Sequence, residues 1–472
     1  MAPEHGLGPT GRLQMGALAT LAALGLTLGA TPERPTPEPA VEGSWAFTNV
    51  TVLPMDAERS LTDHTVVVVD GVITAVGPAG SIEVPADATI IDGRGRWLMP
   101  GLAEMHAHVP PVPPNGPQRP PREMLDDIFF LYVANGITAI RGMLGAPYQI
   151  DLRAEIRDER HLAPDFWAAA PSINGNSAPT PAAAEAMIRD AAAAGYDLMK
   201  IHPGVSRETW DHMVAVADEV GLTFGGHVPA AVGIEHALAT GISTVDHVDG
   251  YLEAAAGGTA NPIAIVQNLD ENRMRELARR TAEAGAYVVP TMYLWENLYS
   301  KPDADRVLAL PEMRYVSPAQ REGWRSQNAG GPDLPPEVVA DFLDARKRML
   351  RYLVEAGAPL LMGTDSPQLF NVPGFALHRE LAVVADAGIS NYAVLESGTR
   401  NVARYVSEEL GHAGDFGVVA AGMRADLVLL EADPLADLDN LNRRAGVMVR
   451  GRWVTADEID AGLAALAARH GG

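Results

Sequence analysis

Two histidines stand one residue apart at the end of the apolar run Leu98–His108, LMPGLAEMHAH. Side chains at positions i and i+2 of a strand leave the same face, so His106 and His108 can reach one metal ion. An isolated His-x-His pair also occurs in ordinary loops, so a metal site requires further ligands elsewhere in the chain.

Four later apolar runs also end in an ionisable residue, namely Lys200, His227, His247 and Asp365. Taken singly, the two histidines are compatible with core positions, the lysine with an ion pair, and Asp365 with a helix cap or turn. These separate explanations would all have to hold at the ends of successive strands of one fold. Together, the six residues predict a metal site.

The number of ligands favours two metal ions, because four histidines and one aspartate exceed the three protein ligands of a typical catalytic zinc ion. The chain contains no cysteine, so thiolate ligands and disulfides are excluded. Only three lysines occur, Lys200, Lys301 and Lys347. Burial beside cations favours the neutral amine of Lys200, which can take up CO₂ and form an anionic carbamate that bridges two ions.

The elements that must position these residues are short apolar runs separated by amphipathic segments across residues 98–410. The runs are 98–108, 136–142, 165–173, 196–202, 222–227, 243–247, 286–292 and 358–365. Eight such strands with intervening helices predict an α/β fold, a (β/α)8 TIM barrel whose active site lies at the carboxyl ends of the strands. A doubly wound open sheet has the same alternation, but it does not place chemical residues at nearly every strand end. Residues 251–272 and 296–335 exceed usual connections and are predicted to form lids or pocket walls.

Both ends of the chain show the alternation of β-strands, in residues 44–97 and again in residues 411–472. We therefore predict a small composite β-sandwich domain built from both termini.

Residues 1–43 are predicted to be a signal peptide and linker. An apolar stretch at 13–30 follows Arg12 and precedes the Pro/Glu-rich segment 31–40. This pattern predicts export to the periplasm or secretion. The alternatives are an uncleaved membrane anchor, a mobile tail and a misassigned start codon. No membrane span is expected in the mature domain.

With 60 acidic against 36 basic residues, the net charge is −24. Such a charge repels nucleic acid and anionic membranes, so the expected partner is a small-molecule substrate. The sequence is also compatible with a homo-oligomer.

The set of His106, His108, Lys200, His227, His247 and Asp365, with the PGLAEMHAH and ADLVLLEADPL segments, resembles the amidohydrolase superfamily. More narrowly, it is similar to the imidazolonepropionase-related and prolidase-like branch. This resemblance implies a carbamylated Lys200 that bridges two divalent ions, usually zinc. It implies His106, His108 and Asp365 on one ion, and His227 and His247 on the other.

Two departures narrow the resemblance. Imidazolonepropionase itself works with one metal and has no lysine at the position of Lys200, and the deaminase branch usually has glutamate where this chain has Ala230. Both favour hydrolysis of an amide or ester-like bond. The implied catalytic residue is Asp365, which takes a proton from a metal-bridging hydroxide and delivers it to the leaving amine. Its loss is therefore expected to reduce turnover more than binding.

Three residues are candidates for substrate binding, namely Arg141, His202 and Tyr293, which lie near the ends of predicted strands. Arg141 could instead form a salt bridge within the barrel, and His202 could orient a metal ligand. A carboxylate partner for Arg141 suits dipeptides or N-acyl amino acids. A lactonase or cyclic-amide hydrolase on the same site, and a non-catalytic binding protein, are the alternative functions.

Overall fold

The structure is a computed structural model that describes residues 43–110 and 118–471. The predicted signal and linker therefore lie almost entirely outside the described residues. Among the described helices, none has the length and apolar character needed to cross a membrane.

Strands from both ends of the chain pair in one mixed sheet of eight strands. They are β1 (Ser44–Val52), β2 (Leu61–Val69), β3 (Val72–Pro78), β4 (Thr89–Asp92), β5 (Trp97–Pro100), β13 (Leu427–Leu430), β14 (Arg444–Val449) and β15 (Arg452–Thr455). The hydrogen-bonded order is β15-β14-β13-β5-β1-β2-β3, with β4 against β1. The two predicted halves thus join edge to edge, and they form a single mixed sheet where a two-sheet sandwich was predicted.

The junction of the halves is β5, which pairs in parallel with β1 and antiparallel with β13. Apolar residues that alternate along both halves meet in one buried cluster, including Phe47, Val66, Leu98 and Leu429. The period-2 pattern read from the sequence therefore supplies the core of this sheet.

Seven short parallel strands occupy the middle of the chain. They are β6 (Leu102–Ala107), β7 (Ile137–Gly142), β8 (Asp165–Ala168), β9 (Met199–Ile201), β10 (Phe224–Gly226), β11 (Thr244–Asp246) and β12 (Tyr287–Val289). They form a three-stranded sheet in the order β6-β7-β8 and a four-stranded sheet in the order β12-β11-β10-β9. Each lies within one of the runs predicted to be a strand.

Isolated parallel bridges connect these two sheets, directly on one side and through the segment 358–366 on the other. Ala169 pairs with Leu198 between β8 and β9, Val288 pairs with Leu360, and Ala107 pairs with Ser366. The predicted eighth strand, 358–365, thus lies between β12 and β6 without forming a regular strand. This arrangement is a TIM-barrel-type α/β fold.

Helices follow most of the parallel strands. The sixteen α-helices of the described chain are α1 (Arg122–Ala134), α2 (Tyr148–Arg157), α3 (Pro181–Ala194), α4 (Arg207–Val220), α5 (Ile234–Ala239), α6 (Tyr251–Ala255), α7 (Pro262–Asn268), α8 (Glu271–Ala284), α9 (Met292–Ser300), α10 (Ala304–Leu308), α11 (Pro318–Ala329), α12 (Pro336–Glu355), α13 (Phe375–Asp386), α14 (Asn391–Ser397), α15 (Arg400–Glu408) and α16 (Ala456–Arg469). Two 3₁₀ helices span Pro311–Tyr315 and Leu438–Asn442.

Local capping explains where the predicted helices begin and end. In α4, the Ser206 hydroxyl accepts from the Thr209 N–H, and Gly221 adopts a left-handed conformation after the last turn. Thr180 and Gly195 do the same for α3. The two long segments predicted as lids are largely helical, containing α6 and α7 in the first and α10, α11 and a 3₁₀ helix in the second.

Candidate metal centre

The ends of the parallel strands bring the predicted ligands together. His106 lies in β6 and Lys200 in β9. His108, His227 and His247 directly follow strands, and Asp365 lies at the end of the predicted run 358–365 between β12 and β6. Because parallel strands end on one side of the fold, residues far apart in sequence share one site.

His106, His108 and Asp365 form a compact group, with ligand atoms all within 4.8 Å of one another. His108 Nε2 contacts Asp365 Oδ1 directly, and His106 Nε2 lies 3.4 Å from the same oxygen. Asp365 has a φ of 63°, and its N–H donates to the His106 carbonyl over 2.7 Å. This left-handed backbone, uncommon outside glycine, turns the carboxylate toward both rings.

Lys200 is fully buried beside this group. Its Nζ lies 3.3 Å from His106 Nε2 and 3.5 Å from Asp246 Oδ2. Burial lowers the pKa of the Lys200 ammonium from its ordinary value. This shift is toward the neutral amine, which is the form that carbamylation requires.

The rings of His247 and His227 lie next to His106 and are tilted relative to one another. The ring centroids of His106 and His247 are 4.6 Å apart, and those of His227 and His247 are 4.4 Å apart. His247 Nε2 is buried without a hydrogen-bond partner in the described chain, and it lies 3.9 Å from Asp365 Oδ2. A buried imidazole nitrogen with a free lone pair beside a carboxylate fits a metal ion.

A left-handed backbone also shapes the end of β11. Successive strand residues point to opposite faces, yet both Asp246 and His247 approach His106. His247 has a φ of 65°, and this conformation redirects its ring.

Three of the histidines have a partner at Nδ1, which holds the ring and leaves Nε2 for a ligand. His106 Nδ1 lies 2.8 Å from Asp246 Oδ2, and His227 Nδ1 lies 2.6 Å from Asp249 Oδ2. His247 Nδ1 is 2.8 Å from the Thr291 hydroxyl. Such contacts select the tautomer and orientation of a metal ligand.

These partner residues were not predicted from the sequence. One signal was available for Asp246, because an acidic residue inside the apolar run STVDH requires a charged or polar partner. Asp249 and Thr291 lie shortly after β11 and β12, and no sequence signal distinguishes them.

Burial favours the neutral form of His106 and of His247, which is the form that binds a metal ion. Burial, together with Lys200, lowers the pKa of His106 to about 4. Burial also lowers the pKa of His247 well below its ordinary value. Burial would raise the pKa of Asp365, but His106 and His108 hold it well below the usual range. The site therefore combines imidazole lone pairs with an ionised carboxylate.

The three predicted substrate-binding residues have different surroundings. Arg141 of β7 is fully buried. It donates to the Met105 carbonyl and the Tyr405 hydroxyl, both over 2.7 Å, and lies 3.5 Å from Asp246. This is the internal salt bridge weighed as its alternative role. The half-buried His202 ring lies 5.1 Å from the His227 ring. Tyr293 lies in the first turn of α9, and its side chain is half-buried.

A sequence profile of the amidohydrolase family matches residues 97–454, which is more than half of the chain. Among curated proteins, imidazolonepropionase of Stenotrophomonas maltophilia is 40% identical over 65 residues. That alignment covers 13% of this chain and 16% of the relative, so it spans a small part of either protein.

Solved structures match over most of the chain. Bottromycin amidohydrolase superposes with a TM-score of 0.69 and 23% identity, covering 91% of each chain. A Xaa-Pro dipeptidase with bound methionine superposes with a TM-score of 0.64 and 18% identity, and the alignment covers 88% of this chain and 100% of the dipeptidase chain. At these identities the likeness establishes the fold.

Proposed function

Because this chain belongs to the amidohydrolase family, we propose that it is a hydrolase that uses divalent metal ions to cleave a carbon–nitrogen bond in a small substrate. The observation that carries the proposal is the group of His106, His108 and Asp365, whose ligand atoms lie within 4.8 Å of one another. Lys200 lies beside that group, 3.3 Å from His106.

Two divalent ions, usually zinc, would supply water that ionises near neutral pH and would polarise the carbonyl of the scissile bond. His106, His108 and Asp365 would hold one ion, and His227 and His247 the other. A carbamate on Lys200 would be shared between them. The carbamate would form when the neutral amine of Lys200 attacks the carbon of CO₂. This reaction makes an N–C bond, turns one C=O double bond into part of a carboxylate, and releases a proton from the nitrogen.

Asp365 is the proposed catalytic residue. Its carboxylate is ionised at neutral pH, so it accepts the proton of the attacking water and delivers it to the leaving nitrogen. The contacts of Asp246, Asp249 and Thr291 with the histidines keep the ligand geometry fixed while this proton moves.

The proposed substrates are dipeptides or N-acyl amino acids. The buried Arg141 guanidinium already donates to the Met105 carbonyl and the Tyr405 hydroxyl. His202 and Tyr293 are therefore the better candidates to orient the substrate carbonyl or carboxylate. Lactones and cyclic amides use the same chemistry, so a substrate screen includes them. None of the six predicted ligands is missing, which disfavours a non-catalytic scaffold.

The test is elemental analysis of the purified protein, prepared with and without bicarbonate. About two ions per chain are expected from the ligand count. Lys200→Ala should reduce that number sharply, whereas Lys347→Ala should not, because Lys347 pairs on the surface with Glu296 and Asp386. One ion per chain that is indifferent to Lys200 would overturn the bridged pair and favour a mononuclear enzyme.

We also propose that residues 1–43 direct export to the periplasm or the exterior. Mass spectrometry of the protein from its native host is expected to find a new N-terminus near residue 30. Retention of Met1 would contradict cleavage.

A further inference from the structure

Thr291, between β12 and α9, contacts a candidate metal ligand from outside the site. We propose that Thr291 is a positioning residue that fixes the tautomer and ring orientation of His247. The inference rests on the proposed function, because it assumes that His247 binds metal through Nε2. It adds a requirement on a residue that binds neither metal nor substrate.

The contact between these two residues is buried. Thr291 and His247 are 0% and 1% exposed, and the Thr291 hydroxyl lies 2.8 Å from His247 Nδ1. When Nδ1 carries the proton and donates it to this hydroxyl, the lone pair of Nε2 is free. The opposite tautomer places the proton on Nε2, where it blocks ligation.

His247 differs from the two other supported histidines in the kind of partner it has. His106 and His227 are held by the carboxylates of Asp246 and Asp249. A hydroxyl carries no charge, so its hold on His247 depends on its position more than on electrostatic attraction. The backbone around Thr291 therefore has to be rigid.

The backbone of Thr291 is strained in a manner that supports this role. Its φ and ψ are 46° and 42°, in the left-handed region that a β-branched residue rarely adopts. A threonine before a helix commonly caps it with its hydroxyl, but Thr291 makes no such bond to α9. Its hydroxyl instead lies against the histidine.

Glu380 takes over the capping of α9. This buried residue of α13 accepts the N–H groups of Met292 and Tyr293, over 2.8 Å and 2.7 Å. The two bonds fix the turn that holds Thr291. A second helix acts on the same histidine, because Arg346 of α12 donates to the His247 carbonyl.

The experiment compares Thr291→Val with Thr291→Ser. Valine keeps the shape and removes the hydroxyl, whereas serine keeps the hydroxyl. Affinity for Zn²⁺ is measured by competition with a chromogenic chelator, and thermal unfolding of the metal-free proteins reports on the fold. Loss of a ligand's supporting partner typically weakens metal binding roughly 10- to 100-fold. Thr291→Val should show such a loss, and Thr291→Ser should stay near the wild type.

Thr281→Val is the matched control. Thr281 of α8 is also fully buried, and its hydroxyl forms a 2.8 Å hydrogen bond with the hydroxyl of Tyr251 in α6. Its loss should lower the unfolding temperature without changing Zn²⁺ affinity.

Several outcomes would overturn the inference. Unchanged Zn²⁺ affinity in Thr291→Val would do so, as would a serine variant as weak as the valine variant. If the valine variant does not fold, Glu380→Leu decides, because it removes both oxygens that accept the N–H groups of Met292 and Tyr293 and leaves Thr291 in place. Unchanged affinity in that variant also refutes the inference. A wild-type protein that binds no Zn²⁺ refutes the proposed function as well.

Discussion

Asp246 connects three side chains at the base of the candidate site. Its carboxylate lies 2.8 Å from His106 Nδ1, and 3.5 Å from both Lys200 Nζ and an Arg141 nitrogen. All four residues are at most 1% exposed. A buried charge without its partner is strongly destabilising, so this carboxylate both orients a ligand and neutralises Arg141.

Asp246→Asn should therefore reduce both stability and metal affinity. Removing one charge from a buried pair typically costs roughly 3–5 kcal/mol. A less firmly oriented His106 should weaken metal binding roughly 10- to 100-fold. Urea unfolding of the metal-free protein and chelator competition measure the two effects.

The control for that substitution is Asp211→Asn, which alters a histidine–aspartate contact on the surface with His236. Stability is expected to change by less than about 1 kcal/mol, and metal affinity should not change. Equal effects of the two substitutions would argue against a special role for Asp246.

At the scale of elements, the segment 358–366 lies very close to β6. The Met105 N–H donates to the Met362 carbonyl, and the Asp365 N–H donates to the His106 carbonyl. Glu104 of β6 accepts the Thr364 N–H over 2.9 Å. These bonds fix Asp365 relative to His106, although the segment is not a regular strand.

Gly363→Ala should disturb this approach. A Cβ at Gly363 would lie 2.7 Å from the His106 backbone nitrogen and 2.6 Å from Val289 Cγ1. Backbone cannot yield without moving the ligand, so we expect a loss of roughly 1–3 kcal/mol and reduced metal content. Denaturant unfolding and elemental analysis check both expectations.

Gly323→Ala is the comparison, because no atom lies within 4 Å of the Cβ that it would add in α11. An alanine within an exposed helix should raise stability by roughly 0.5–1 kcal/mol. If Gly363→Ala behaved in the same way, the close packing against β6 would be refuted.

At the scale of the whole molecule, Arg424 joins the mixed sheet to the parallel strands. It donates to Asp165 of β8 over 2.9 Å and to Asp426, which precedes β13, over 2.6 Å. Burial would raise the pKa of Asp165, but Arg424 holds it below the usual value. The contribution of Asp165 to stability is thus present above its unfolded pKa and is lost as the pH falls through its lowered folded pKa.

Arg424→Met should leave Asp165 and Asp426 buried without this counter-charge. The expected loss is roughly 3–5 kcal/mol at neutral pH. Without Arg424, the pKa of Asp165 in the folded state rises toward or above its value in the unfolded chain. The free energy of unfolding should therefore vary less with pH in the acid range than it does in the wild type. Denaturant unfolding at neutral pH and near pH 3.5 tests both points.

Arg404→Met removes an exposed pair with Glu408 at 3.5 Å and should change stability by at most about 1 kcal/mol. A comparable loss of stability in both arginine variants would show that the buried contact between Arg424 and Asp165 contributes no more than an exposed ion pair.

The sequence by itself determined the order of the elements and the candidate ligands. Apolar runs mark the parallel strands, and the residues at their ends, such as His106, Lys200 and Asp365, share one side because parallel strands end together. Periodicity and capping are local properties, so they can be read from neighbouring residues.

Only the tertiary structure decided which residues support the ligands. Asp246 reaches His106, and Thr291 reaches His247, because different strands meet and because left-handed backbones at His247 and Thr291 redirect their side chains. It also decided that Arg141 is buried and bonded to the Met105 carbonyl and the Tyr405 hydroxyl. Such contacts join residues far apart in the chain and depend on strand order and backbone geometry, which local hydrophobic patterns do not encode.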